Sequence, residues 1–504
     1  MNQPQRRKPN TPTSASGFGR SRLGVTPRLH LRVTAARSGT CPGRPVPALG
    51  FAVLCLLMTL PWLAPAADPA ESTLVTLDPG HFHAALFQKE MLPGLASESF
   101  VYAPLGPDLT AHLNRVAQFN ARAERPTNWR VRVYAGSDYL ERFWDENPGQ
   151  IVVLSGRNRG KIDRLLGCVR RGWHVLADKP WIIEPEDLAK LETALREAAA
   201  RRVTIFDAMT QRFEITDLLA RALVRDPGIF GRPLPGSPGE PAVLMESLHY
   251  LRKEAAGVPV LRPAWFFDIK EQGEGLSDVG THLVDLVAWM LFPDEPLSPA
   301  SDIEILAGRR WSTPLSGTEF KQVTGEPAFP AFLLTSVREG RLEYFANNTV
   351  DYALRGVHVR LQTTWEFAAP PGVKDSEHVV LRGTRARLEI RQGPEEHYRP
   401  EVFILPHPGA EGDGVPAALR ARLALLQGEW PGLALAEDEG RFRLLIPDRF
   451  RLDHEAHFTL VARRFLEYAR NPGAQPGWEH PNLLAKYYVT TKGVQLARRT
   501  ATHP

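Results

Sequence analysis

Asp278 and His282 stand four residues apart in the stretch GEGLSDVGTHLVDLVAW, residues 273–289. On a helix that spacing puts a carboxylate and an imidazole one turn apart on one face. Such a pair can pass a proton to and from a hydroxyl held between them, the carboxylate tuning the histidine. Asp285 and Trp289 continue the same face, while Val279, Leu283, Leu286, Val287 and Met290 form an apolar stripe. The same spacing also serves surface ion pairs and helix caps, so a second stretch is needed to favour chemistry. WHVLADKPW, residues 173–181, supplies it: an apolar strand that stops at Asp178, Lys179 and Pro180, where proline fixes the backbone.

The elements that must position these residues belong to a chain of 504 residues, of which 43% are hydrophobic and 23% charged. That composition supports a large core and more than one domain, and excludes a disordered protein. The first 67 residues carry nine Lys or Arg and no Asp or Glu, and end in the apolar run ALGFAVLCLLMTL before small residues. This is the make-up of a basic leader and signal peptide cleaved after Ala66 or Ala67, and it predicts an exported, bacterial periplasmic protein. An uncleaved anchor is the one membrane contact the sequence allows. Without the leader, 52 basic residues face 57 acidic ones, which argues against nucleic-acid binding. Only Cys168 survives cleavage, so the mature chain has no internal disulfide.

From Leu74 onward, short apolar runs alternate with helical stretches. LVTL (74–77), IVVLSG (151–156), HVLADK (174–179) and VTIFDAM (203–209) read as strands, and 83–92, 110–123, 160–171 and 185–201 as helices. The alternation predicts a Rossmann-like, doubly wound parallel sheet over residues 73–228. The Pro- and Gly-rich segment 226–241 marks the boundary. Residues 229–504 read as an α+β domain whose RLEYFAN, VHVRLQTTWEF, HVVLRGT and ARLEIRQG segments alternate as in a mainly antiparallel sheet, closed by a helical tail.

Asp178-Lys179-Pro180 followed about a hundred residues later by Asp278-Val279-Gly280-Thr281-His282 resembles the Gfo/Idh/MocA family of sugar and polyol oxidoreductases. LDPGHFHAAL, FDAMTQRFEIT and PAWFFDIKEQGEGLSDVGTHLVDL are similar to a secreted branch with a distinctive oxidoreductase C-terminal domain. The resemblance implies NAD or NADP as cofactor, a carbohydrate or cyclitol as substrate, and a homo-oligomer. It implies that His282 is the general base, that Lys179 orients the hydroxyl and stabilises developing negative charge, and that Asp278 positions the site. Asp178, Lys179 and Pro180 would then also line the cofactor.

The phosphate loop departs from that family. A dinucleotide fingerprint needs three glycines between first strand and helix; here Asp78-Pro79-Gly80-His81-Phe82-His83 keeps only Gly80 in register. Asp78 sets a negative charge near phosphates and Pro79 removes a donor. Gly80, His81 and His83 would touch the pyrophosphate or ribose in a modified nicotinamide site. A histidine pair after a strand also suits a metal-dependent hydrolase, although no metal is expected because the later chain lacks that pattern. A capped turn is the plainest alternative.

Ser155 and Asn158 follow a buried strand where the cofactor crevice would lie, or cap a helix. Asp108 suits a ribose or a helix start. His249, Tyr250, Trp265, Asp268 and Asp285 are candidate sugar-binding residues, an aromatic face and a carboxylate suiting a pyranose. His454 and His457 belong to no motif and read as structural. The expected activity is hydride transfer between tightly bound NAD(P) and a sugar hydroxyl; NAD-assisted glycoside cleavage and a non-catalytic sugar-binding protein are the alternatives.

Overall fold

The computed structural model describes residues 71–255 and 258–500, so the leader lies outside the described residues. Residues from Pro69 onward form one compact unit. Its first half is built from β1 (Ser72–Leu77), α1 (His83–Leu86), β2 (Leu95–Ala103), α2 (Pro107–Ala121), β3 (Arg130–Ala135), α3 (Tyr139–Glu146) and β4 (Ile151–Leu154). There follow α4 (Lys161–Arg170), β5 (His174–Ala177), α5 (Leu188–Arg201), β6 (Ile205–Asp207) and α6 (Ile215–Val224). The six strands pair in parallel in the order β3-β2-β1-β4-β5-β6. This is the doubly wound order, whose direction reverses between β1 and β4 and opens a crevice beyond their carboxyl ends. The central strand IVVL is buried at all four positions, as expected of a parallel strand covered on both faces.

The helix after β1 is shorter than the sequence pattern predicts: it stops at Leu86 rather than near residue 92. The amides of Gly80 and His81, which would open a longer helix, both donate to the Ser155 carbonyl at 3.0 and 3.1 Å. Asp78 adopts φ 48° to make that turn.

The second half begins with β7 (Val243–Arg252), the short pair β8 (Glu254–Ala255) and β9 (Val258–Pro259), α7 (Gly280–Leu291) and α8 (Pro299–Asp302). Next come β10 (Ile303–Ser316), α9 (Gly317–Thr324), β11 (Val337–Arg338), β12 (Arg341–Leu354), β13 (Val357–Ala368), β14 (Ser376–Arg382), β15 (Ala386–Gln392) and β16 (Glu401–Pro406). The chain closes with α10 (Val415–Leu426), β17 (Ala434–Asp438), β18 (Arg441–Leu445), α11 (His454–Arg470) and α12 (Glu479–Thr500). The large sheet runs β10-β12-β13-β7-β14-β15-β16-β18-β17. It is antiparallel except where β13 pairs with β7 in parallel.

Every residue of α7 is buried. It packs among α6, α12 and β13, so it has no solvent face and its polar residues need partners within the protein. The tail supplies some of them by returning to the parallel sheet. Phe458, Val461 and Phe465 of α11 join the core beside Leu74, Leu86 and Phe87, and Leu483 and Tyr487 of α12 join the core on the other side. No helix among the described residues is long and apolar enough to cross a membrane.

Candidate active site

The carboxyl ends of β1, β4 and β5 meet the loop that enters α7, and there the two sequence motifs converge. Lys179, just beyond β5, donates from Nζ to Asp278 Oδ1 at 2.5 Å. The Lys179–Pro180 peptide is cis. Burial works against the charge of Lys179, yet Asp278 and Asp178 outweigh it and raise its pKa. Burial likewise opposes ionisation of Asp278, and Lys179 reverses the balance and lowers its pKa. The pair is therefore an ammonium beside a carboxylate.

His282 sits one turn along and is 8% exposed. Burial, reinforced by the positive charge of Lys179, pushes its pKa well below the usual histidine value, so the imidazole is neutral near pH 7. Its Nδ1 is buried without a hydrogen-bond partner among the described residues. A neutral, unengaged imidazole beside a fixed ammonium can accept a hydroxyl proton while the ammonium stabilises the alkoxide that forms.

Around this centre lie Arg262, the expected His249, and two residues that no motif singled out, Lys253 and Asp375. The Arg262 guanidinium stacks over the rings of Phe266 and Trp365 at 4.8 and 4.9 Å. Burial lowers its pKa, against the pull of Tyr344, Asp278 and Asp375. Asp375 accepts from His249 Nδ1 at 2.9 Å and from Lys253 Nζ at 2.5 Å, and His249 Nε2 meets Ser247 Oγ at 2.6 Å. His249 also faces Trp365, with ring centroids 4.8 Å apart. A basic, hydroxyl-bearing and aromatic wall of this kind suits a polyhydroxylated ligand.

A family profile described as "Putative oxidoreductase C terminal domain" matches residues 219–498, more than half of the chain. The chain belongs to this oxidoreductase family. A solved structure described as a "putative oxidoreductase" from Parabacteroides merdae is 41% identical to it, with a TM-score of 0.84, covering 86% of this chain and 99% of that one. Two more distant structures share the fold. GenD2 from gentamicin A biosynthesis, solved with NAD, has 13% identity, a TM-score of 0.51, and coverage of 88% and 97%. Levoglucosan dehydrogenase, solved with NADH and levoglucosan, has 12% identity, a TM-score of 0.51, and coverage of 85% and 97%. No curated protein matches the sequence.

Within this family member the remaining predicted residues divide. Ser155 donates from Oγ to Asp178 Oδ2 at 2.8 Å, and His81 and His83 approach the same oxygen, so the predicted crevice residues do meet. Asn158 is engaged elsewhere: its amide donates to the Gln272 carbonyl at 2.8 Å and its Oδ1 accepts from Lys161 at 2.6 Å, tying β4 to the loop before α7. Trp265 does not face the Arg262 wall but the β1 turn. Its Nε1 donates to Asp108 at 2.9 Å, and a Cβ added to Gly80 would come within 2.9 Å of its ring.

Three residues expected to bind sugar have other surroundings. Asp285 is locked between Arg212 at 2.6 Å and Lys486 at 3.0 Å, because a carboxylate on a fully buried helix must find cations. Asp268 accepts from the amide of Lys270 at 2.9 Å and so closes a turn. Tyr250 follows His249 in β7 and therefore points to the opposite face of the sheet. That face carries an open cavity of about 670 Å³ lined by Glu246, Leu248, Gln362 and Thr364.

A dinucleotide would fit this crevice unevenly. Its reactive end would meet Lys179, Asp278 and His282, whose Nδ1 has no partner among the described residues. At its diphosphate end the loop amides are already taken by Ser155, and α1 is a four-residue turn. The positive charge there comes from Arg157, at 3.3 Å from Asp108, and Arg164, at 3.2 Å from Asp78. Side chains rather than a glycine cradle would hold the phosphates.

Proposed function

We propose that the protein is an exported oxidoreductase that transfers a hydride between NAD or NADP and a hydroxyl of a carbohydrate or cyclitol. The observation that carries this reading is the Lys179–Asp278 pair set beside a neutral, unengaged His282 at the switch point of a doubly wound sheet. The dinucleotide, when bound, supplies the hydride acceptor or donor, and the chain's own residues manage the proton. His282 takes the hydroxyl proton during oxidation and returns it during reduction. Lys179 holds the hydroxyl oxygen and stabilises its negative charge, and Asp278 fixes the ammonium in place. The NAD and NADH complexes of the two distant relatives support the cofactor class, and the levoglucosan complex supports the sugar.

Export and membership of a secreted branch rest on the basic, apolar-ended leader. Edman or mass-spectrometric analysis of periplasmic protein should give a new N-terminus at Ala67 or Asp68; an intact leader in cytoplasmic protein would sink that part. A homo-oligomer is proposed from the open face of the large sheet, and light scattering giving a monomer would reject it. For the activity, denaturing the purified protein should release about one NAD(P) per chain, identified by mass and absorbance. His282→Ala should abolish turnover in a carbohydrate screen, at least about 100-fold as for loss of a general base, while retaining the nucleotide. Unchanged turnover in His282→Ala would refute the assigned base.

A further inference from the structure

The turn after β1 brings together a group of side chains that hydride transfer does not use. His81 Nδ1 and His83 Nδ1 lie 2.7 and 3.1 Å from one oxygen of Asp178, Oδ2, and the ligating atoms of all three residues lie within 4.8 Å of one another. Asp178 and His83 are 4% and 3% exposed. Oδ2 also accepts from Ser155 Oγ, while Oδ1 is buried with no partner among the described residues. A buried carboxylate with one oxygen crowded by three donors and the other bare is poorly balanced as a hydrogen-bond acceptor alone. Behind it, His83 Nε2 lies 2.7 Å from His454 Nε2. A metal on Nδ1 would fix the remaining proton on Nε2, so that His83 donates and His454 accepts, which is how ligating histidines are commonly oriented.

We propose that His81, His83 and Asp178 bind one divalent first-row transition ion, with His454 and Ser155 orienting the ligands. Two imidazole nitrogens and a carboxylate oxygen suit Zn²⁺ or Fe²⁺ rather than Ca²⁺ or Mg²⁺. Three protein donors leave coordination positions for water or an oxygen of the ligand, the arrangement of a reactive rather than a structural site. Asp178 adjoins Lys179 in the chain, so an ion held here lies between the β1 turn and the strand end that carries Lys179, with its open positions free for an oxygen ligand. The site goes beyond the proposed oxidoreductase function and stands without it.

The test uses tag-free mature protein, stripped with a chelator and dialysed against Co²⁺ or Zn²⁺, with bound metal counted by mass spectrometry and the Co²⁺ ligand field read in the visible spectrum. The expected result is one ion per chain with a nitrogen–oxygen Co²⁺ spectrum. His454→Ala should weaken affinity by about 10–100-fold. His81→Ala and Asp178→Asn should weaken it further and change the spectrum. His81, with 37% of its side chain exposed, is the variant best placed to keep the fold, as circular dichroism would verify. Wild-type protein that binds no more metal than the His81→Ala/Asp178→Asn double variant would overturn the proposal. Nucleotide content is measured on the same sample: nucleotide without metal defeats the metal site alone, and metal without nucleotide defeats the oxidoreductase reading alone.

Discussion

Asp285 distinguishes a structural carboxylate from a sugar-binding one, and its removal has a calculable cost. The carboxylate accepts from Arg212 Nε and Nη2 at 2.6 and 2.8 Å and from Lys486 Nζ at 3.0 Å. Removing one partner from a buried ion pair typically costs about 3–5 kcal/mol, because an uncompensated charge is left behind. Here neither cation is stranded: Arg212 keeps Glu479 at 3.0 Å and Lys486 keeps Asp207 at 2.9 Å. Asp285→Ala should therefore fall at the lower end, about 3 kcal/mol. Asp285→Asn, which retains an acceptor oxygen, should cost less. The assay is urea unfolding followed by fluorescence, where the midpoint should fall at an unchanged slope. Burial opposes the charge of Asp285, but Arg212 and Lys486 prevail and hold its pKa well below the usual carboxylate range. Its contribution is thus present above about pH 4, the unfolded carboxyl pKa, and is lost as pH falls through the depressed folded value. A variant whose stability changes by less than about 0.5 kcal/mol, the scale of an ordinary surface substitution, but whose sugar affinity collapses would refute the reasoning.

Glu377 behaves in the opposite sense. Burial and the charge of Glu214 push its pKa up to about 7, so the folded state holds a proton that the unfolded chain has released. Its contribution should be greatest below about pH 4.5 and be lost as pH rises toward 7, and Glu377→Gln should reduce this slope, part of which stays with the neighbouring buried Asp217, whose pKa burial and the charge of Glu377 also raise; a denaturation series showing an unchanged slope would contradict this. At Gly156 an added Cβ would lie 2.1 Å from the Asp78 carbonyl oxygen, so Gly156→Ala should prise β1 from β4 and cost more than about 3 kcal/mol. Gly239→Ala, where nothing lies within 4 Å, should leave the unfolding midpoint nearly unchanged, and equal effects of the two would reject the close approach as the cause.

The doubly wound sheet was legible because its strands are continuous apolar runs spaced by helical stretches. The Lys179, Asp278 and His282 constellation was legible because short motifs with fixed internal spacing carry it. β10 gave no such signal: Arg309, Arg310 and Ser312 interrupt its alternation, and its place is fixed by pairing with β12. Asp375 and Lys253 were equally silent, since their meaning lies in a contact more than a hundred residues apart along the chain.

By itself the sequence determined which residues could react and the order of the elements that carry them, since hydrophobic period and local spacing are properties of the chain. Tertiary structure decided which polar groups are free to react. Asp285 and His282 share one helical face, yet Arg212 and Lys486 claim the first while the Nδ1 of the second has no partner among the described residues. His454, far along the chain, becomes the partner of His83 only because α11 packs back against the parallel sheet. Burial makes each such pairing decisive, because a polar group away from water must be satisfied by whatever the fold brings to it.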